Sequence, residues 1–328
     1  MDLEEAQGQW MQFADRQSIR KLRSEKRAWP PESPAGFCIQ QETTLDRKSV
    51  WVGTVFLVGA ECSFTCSMCD LWKYTLSGPT MEGRIPKQIE SVLNELETCE
   101  WIKLYNASNF FDPRSVPVED LPRIAELCSR FDRVIVENHP RMVRLREIDL
   151  FVENLKSKLE IAMGLETIHP NALRILNKEM TVSDFERTAN LLFNRRIDVR
   201  AFLLSHVPGI EKGAALEWCL NSIDFAARCG VRHISLIPTR AGNGWVDQLI
   251  ERGLFSLPTA SEMEQLMFEA LRWSDKSVVS LDTWDWHLLA GHCNICRDMR
   301  LKRIESVNIL QTWIPLETLP ECSCAALT

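Results

Sequence analysis

Apolar and polar positions alternate in blocks along most of the chain. The run "VWVGTVFLVG" (50–59) is continuous, rich in β-branched residues and short, the pattern of a buried strand. The next block, "PKQIESVLNELETC", places Ile89, Val92, Leu93 and Leu96 on one face of a helix, with Pro86 suited to its first position. The exchange then recurs. Strands are predicted at 101–108, 133–138, 159–167, 198–209 and 232–239. Helices are predicted in "VEDLPRIAELCSRF", around "RLREIDLFVENLKS", in "TVSDFERTANLLFNRR" and in "ALEWCLNSIDFAARCG", with Gly230 just past the end of the last. Strand–helix units of roughly 30 to 40 residues mean a parallel sheet with crossover helices. Six of them predict an α/β fold, either a doubly wound open sheet or an incomplete βα barrel. Residues 1–40 read as a polar helical extension closed by "WPPESPAG", 41–255 as the core, and 256–328 as a C-terminal extension.

Both architectures bind ligands at the carboxyl ends of their strands. The polar residues there are 62–69 after the first strand, 106–109 after the second, Glu137 and Asn138 at the third, Glu166 at the fourth, Ser205 and His206 after the fifth, and Thr239 and Arg240 after the sixth. Composition changes this picture little. With 45% hydrophobic and 25% charged residues, the 328-residue chain is ordinary for a globular protein. No apolar run approaches the roughly 20 residues that span a bilayer. The opening "MDLEEAQGQW" has no apolar export signal, so a cytoplasmic, reducing location is expected. There, clustered thiols point to metal or catalysis rather than crosslinks, and the chain has 12 cysteines. The net charge of −7 argues against a general nucleic-acid binder. The basic cluster Arg16, Arg20, Lys21, Arg23, Lys26 and Arg27 is either a solvated helix face or a local phosphate contact.

The stretch "GAECSFTCSMCDLW" concentrates three of the thiols, Cys62, Cys66 and Cys69, in one loop. They are either small buried residues grouped by chance or ligands. A four-iron cluster normally takes four cysteines, so three leave one iron open to a substrate or cofactor. The spacing C-x3-C-x2-C directly after a first buried strand closely resembles the signature of the radical S-adenosylmethionine (radical SAM) superfamily. The resemblance implies a partial (βα)6 TIM-like barrel, with Cys62, Cys66 and Cys69 holding a 4Fe-4S cluster. S-adenosylmethionine would chelate the open iron. Its reductive cleavage would yield a 5′-deoxyadenosyl radical that abstracts hydrogen from a substrate. An electron donor such as flavodoxin or ferredoxin is implied as partner. Met68 falls where the family often has an aromatic packing on the adenine, and a soft thioether can do the same. Where the family often has a Gly-Gly-Glu turn, this chain reads "YNASNFFD", which leaves the backbone carbonyls of Ala107 and Ser108 to hold the methionine amino group.

The stretches "CSMCDLW", "LYNASNFFDPRSVP", "VIVENHPRMV", "AMGLETIHPNALRILNKEMT" and "IPTRAGNGWV" resemble the elongator-type branch, in particular the group formed by the archaeosine synthase radical subunit and its bacterial relatives. That branch includes tRNA-modifying enzymes, so a modified tRNA nucleoside is one substrate class. A small molecule or peptide is the alternative, and a non-catalytic iron–sulfur redox sensor or a nucleic-acid-binding module are others.

Glu137 and Glu166 each end an apolar strand, where a carboxylate must be paired or bound. They are candidates for cofactor contact, or for a barrel salt bridge to an inward arginine such as Arg200. Arg200 could equally meet the cofactor carboxylate. His139, His206 and Arg240 share the rim as weaker candidates. A second cysteine set, Cys293 and Cys296 in "GHCNICRD" with Cys322 and Cys324 in "PECSC", has the make-up of a zinc site or an auxiliary iron–sulfur cluster, with His287 or His292 as substitute ligands. Trp284 and Trp286 precede it, either as packing or as a stacking pair for a base. Cys38, Cys99, Cys128, Cys219 and Cys229 read as buried small residues.

Overall fold

The computed structural model describes residues 15–315 together with Cys322 and Cys324. Residues 1–14 of the expected N-terminal extension and 316–321, 323 and 325–328 of the C-terminal one lie outside the described residues. Eight strands form one sheet whose order in space is their order in the chain. β1 (Gly36–Thr43) pairs antiparallel with β2 (Ser49–Phe56). Parallel neighbours follow: β3 (Trp101–Tyr105), β4 (Arg133–Glu137), β5 (Lys158–Glu166), β6 (Asp198–Leu204), β7 (His233–Ile237) and β8 (Val278–Leu281).

The helices among the described residues are α1 (Arg16–Lys21), α2 (Arg84–Glu90), α3 (Leu121–Leu127), α4 (Leu145–Asn154), α5 (Pro170–Ile175), α6 (Val182–Phe193), α7 (Ala215–Arg228), α8 (Trp245–Glu251), α9 (Ala260–Ala270) and α10 (Arg297–Leu310). Their starts follow local chemistry. Thr181 and Asp184 form a capping box on α6, and Thr259 and Glu262 form one on α9. Outward strand residues such as Val55, Leu104, Val136, Ile161 and Leu203 pack under the helices as the main core.

The result is the partial βα barrel that the alternation implies. The six expected strands are β2 to β7. The sheet also reaches beyond 41–255 at both ends, through β1 and the four-residue β8. Among the described residues, no ladder joins β8 to β1, and α10 packs against both. Two amides on α10 and at its end occupy the free edge of β8. Asn308 Oδ1 accepts from Leu281 N at 2.9 Å and its Nδ2 donates to Leu281 O at 2.8 Å. Gln311 does the same for Val279, at 2.8 and 2.7 Å.

The amino-terminal half of the barrel interior is ionic. Glu160 accepts from Arg200 Nε at 2.9 Å, Arg232 Nε at 2.6 Å and Arg133 Nη1 at 3.0 Å. Glu42, from β1, accepts from both Arg200 Nη atoms at 2.8 and 2.7 Å and from Lys103 Nζ at 2.5 Å. Arg133 and Arg232 also lie over the Trp101 ring. Burial alone would raise both glutamates. Arg232 and Arg200 outweigh it at Glu160, and Arg200 and Lys103 at Glu42, so both carboxyls sit well below the usual range. Arg200 is therefore placed differently from the expectation of a cofactor contact. It lies near the start of β6, away from the strand end, and its guanidinium is taken up by Glu42 and Glu160.

Candidate functional site

Above that ionic floor the interior opens. Phe56, Tyr105, Glu137, Phe202, Ser235 and Ile237, all inward-facing near the carboxyl ends of their strands, keep partial solvent exposure. The loop that carries Cys62, Cys66 and Cys69 follows β2 at this same end. All three thiols are free and partly buried.

The loop is held by backbone-directed contacts. Ser67 N donates to Leu176 O at 2.8 Å. Asn177 Nδ2 donates to Thr65 O and Oγ1 at 2.8 and 2.9 Å, and Asn243 Nδ2 to Met68 O at 2.8 Å. The entry strand is steadied by Gln88, fully buried, whose side-chain amide pairs with both N–H and C=O of Val58. The Met68 side chain bridges two apolar clusters, one with Ile175 and Trp245 and one with Leu176 and Leu204.

Polar groups converge on the thiols. Asn109 Nδ2 donates to Cys62 Sγ at 3.3 Å, and its Oδ1 accepts from His139 N at 2.6 Å. The His139 ring stacks on Phe64 of the cysteine loop, with centroids 3.7 Å apart. Burial and the nearby Lys178 cation push His139 down to about 3, so the ring is neutral. That makes it a packing platform and removes it as a cation. Glu166 Oε1 accepts from Lys178 Nζ at 2.6 Å, so its partner comes from the loop after α5 and not from Arg200. Glu166 sits at φ 62° and Ala107 at φ 53°, left-handed conformations costly for residues with a Cβ. A Cβ on Gly164 would fall 2.2 Å from Glu166 Oε1 and 2.4 Å from Lys178 Nζ, so glycine leaves room for this pair.

Glu137 is half-buried in the opening, and its Oε2 accepts from Asn106 N at 3.2 Å. Burial pushes its carboxyl up to about 7, against the Ala107 and Asn106 N–H groups that favour the ion. Ser108 lies beside Ala107 on the same rim loop, and its Oγ is buried without a hydrogen-bond partner. So are Asn106 Oδ1 and Ser205 Oγ. Unpartnered buried polar atoms are costly, and a polar ligand at the strand ends would satisfy them.

The donor set suits an iron–sulfur cluster. Burial pushes the Cys66 thiol up to about 11 and raises Cys69 as well, so bare thiolates are disfavoured and a bound cation would be needed to hold them ionised. Of the other rim candidates, Arg240 is engaged by Asp282 and Asp285, and His206 Nε2 lies 3.8 Å from Glu262.

The sequence left Lys178, Asn177 and Gln88 unmarked. Each acts through a contact more than ten residues away, which no local period signals; only the position of "ILNKEM" just after a strand-end loop hinted at Lys178.

The N-terminal segment lies across this loop. Arg23 Nη1 and Lys26 Nζ pair with Glu61 at 2.7 and 3.1 Å, and Trp29 Nε1 donates to Lys73 O at 2.6 Å. Arg20, Lys21 and Arg27 stay exposed on its outer side. The second cysteine set is also gathered: Sγ atoms of Cys293, Cys296, Cys322 and Cys324 all lie within 4.8 Å of one another. No helix among the described residues is long and apolar enough to cross a membrane.

No protein-family model matches the chain. It is 24% identical over 288 residues to archaeosine synthase subunit beta of Methanosarcina acetivorans, covering 84% of this chain and 83% of that one. It is 23% identical over 232 residues to an uncharacterised protein of Methanocaldococcus jannaschii, covering 68% of this chain and 63% of that protein's length. Among solved structures, methylornithine synthase superposes with a TM-score of 0.55 at 12% identity, covering 97% of this chain and 89% of that one, which is a likeness of fold. With the C-x3-C-x2-C loop at the open end of this partial barrel, the chain is similar along most of its length to archaeosine synthase subunit beta and shares the fold of methylornithine synthase.

Proposed function

We propose that Cys62, Cys66 and Cys69 hold a 4Fe-4S cluster and that the substrate is a modified nucleoside in tRNA. The observation that carries the first part is the placement of three thiols on one anchored loop, at the strand ends where unpartnered polar atoms also gather. Held there together with S-adenosylmethionine and given an electron by a donor such as flavodoxin or ferredoxin, such a cluster would supply the radical chemistry that takes hydrogen from the substrate.

The protein's own residues bind, orient and exclude water. Asn109 ties Cys62 to the loop after β3, and His139 with Phe64 fixes the cysteine loop from the side. Ala107, Ser108 and Glu166 offer polar groups at the strand ends for the methionine and ribose portions. Met68 offers a soft apolar surface for the adenine. Glu137, with its raised affinity for a proton, faces the opening where a substrate enters and serves as a proton-bearing contact.

The tRNA reading is supported by the relative named archaeosine synthase subunit beta and by the exposed Arg20, Lys21 and Arg27 beside the cysteine loop. The net charge of −7 favours the second reading, a small molecule or peptide.

Anaerobic incubation of reconstituted protein with dithionite and S-adenosylmethionine tests both. We expect 5′-deoxyadenosine, and more of it when tRNA is added. A rate indifferent to tRNA overturns the substrate reading; no product from a loaded cluster overturns the chemistry. Cys66→Ala is expected to lose the cluster and the product while remaining folded, read by iron content and circular dichroism. Full iron and activity in that variant would remove the ligand assignment.

A further inference from the structure

We propose that Cys293, Cys296, Cys322 and Cys324 hold a single zinc ion, and that this ion fixes the chain at the mouth of the barrel. The argument is one of spacing. Zinc binds four thiolates tetrahedrally at about 2.3 Å, which sets neighbouring sulfurs about 3.8 Å apart. Cys293 Sγ lies 3.8 Å from Cys296 Sγ and 3.8 Å from Cys322 Sγ, and no pair of the four exceeds 4.8 Å. A four-iron cube places one iron under each thiolate and so spreads its four sulfurs to roughly 6 Å. The tail thiols are too close together to clasp a cube and are spaced to meet one ion. Among the described residues, no other group of three or more His, Cys, Asp or Glu is gathered this way, and the thiols of the first loop are not.

The surroundings are those of thiolates bound to a cation. Backbone N–H groups of Ile295 and Cys296 point at Cys293 Sγ, and that of Cys324 points at Cys322 Sγ, which offsets sulfur charge. Cys296 stands at the amino terminus of the 14-residue α10, whose dipole favours negative charge there. Arg300, fully buried and paired with Glu264 at 2.8 and 2.7 Å, also contacts Cys296. The expected histidine substitutes are not needed: His292 Nε2 is engaged with Trp286 O at 3.0 Å.

What the ion would hold is the carboxyl-end rim. The segment from β8 to Cys293 carries Asp282 and Asp285, paired with Arg240, and Trp284, which is 63% exposed with its ring 5.8 Å from that of Phe56. One end of this segment is fixed by the sheet. The other is tied to α9 by Ala260 N donating to Ala290 O at 2.8 Å, to α10 by Arg300 donating to Gly291 O at 2.7 Å and by the buried Trp286, and the four thiols add to these ties. Zinc there orders the edge of the opening beside Arg240 and Phe56. The assignment stands independently of the cluster on the first loop.

The experiment is metal analysis of the full chain, purified without added iron and then reconstituted. We expect one zinc per chain, retained in Cys66→Ala and after reconstitution, with iron reaching about four per chain. We expect thiol modification with a mercurial to release that zinc stoichiometrically. Cobalt exchange is expected to give the d–d absorption of a tetrahedral tetrathiolate. Cys293→Ser is expected to lose the zinc and keep the iron. If that variant fails to fold, zinc release and the cobalt spectrum of the unaltered chain still decide. About eight irons per chain and no zinc, or a single tightly held iron in its place, would overturn the proposal, as would a chain that carries no metal at the tail.

Discussion

Glu137 shows how one side chain couples the site to stability. Its carboxyl titrates near 7 in the folded chain, against an ordinary value near 4.5, so the folded state binds the proton more tightly. Folding stability then falls as pH rises from about 4.5 to 7, and above 7 the ionised group costs up to about 3 kcal/mol. Glu137→Gln is expected to leave stability unchanged near pH 4 and to raise it at pH 8. Thermal melts of both chains across that range check it; an equal shift at both pH values would remove the argument. The Glu166–Lys178 pair makes the opposite case. Lys178→Met strands a buried carboxylate and is expected to cost roughly 3 kcal/mol or more in chemical denaturation. At this scale the sequence was legible only where position alone identifies a residue. Glu137 and Glu166 stand at strand ends, and the pattern places them there. Arg200 lies on the same kind of strand, but a period of two does not say which end of the barrel an inward residue serves. Its partners, Glu42 and Glu160, come from other strands, and no spacing announces them.

Elements were easier to read than their edges. Six strands and their crossover helices follow directly from apolar blocks that differ in period. β8 did not, because four residues carry too short a pattern and its partners for closure are side chains. Asn308 and Gln311 stand in for a ninth strand by pairing with the backbone of Leu281 and Val279. An open sheet edge invites pairing with another chain, and these amides blunt it. Replacing both with leucine leaves buried N–H and C=O groups unpaired, at about 1 to 3 kcal/mol for each group. The expected outcome is a chain of lower melting temperature that associates at micromolar concentration, read by light scattering. A double variant whose scattering and melting match those of the unaltered chain would show that water serves the edge equally well. The N-terminal segment was expected as a polar helix. Among the described residues of that segment only α1 is helical, and past its end Arg23, Lys26 and Trp29 tie the chain to the cysteine loop.

For the whole molecule, the ionic floor sets the acid limit. Glu42 and Glu160 bind protons more weakly folded than unfolded, so their contribution is complete above the usual carboxylate range and is lost as pH falls below it. Glu160→Gln leaves Arg200, Arg232 and Arg133 facing a neutral amide. It is expected to destabilise the chain by about 3 to 5 kcal/mol at neutral pH and by much less near pH 2. A urea titration at both pH values reads the difference, and equal losses would mean that packing and not charge is what the residue supplies. The sheet's order in space has a consequence for synthesis. Every strand lies beside the one made just before it, so no strand waits for a distant one. A chain emerging from a ribosome can add each βα unit to a growing edge in turn. The amides that cover the last edge and the thiols at the tail are made at the end, so they act as a clasp on a finished barrel and have no part in guiding its assembly.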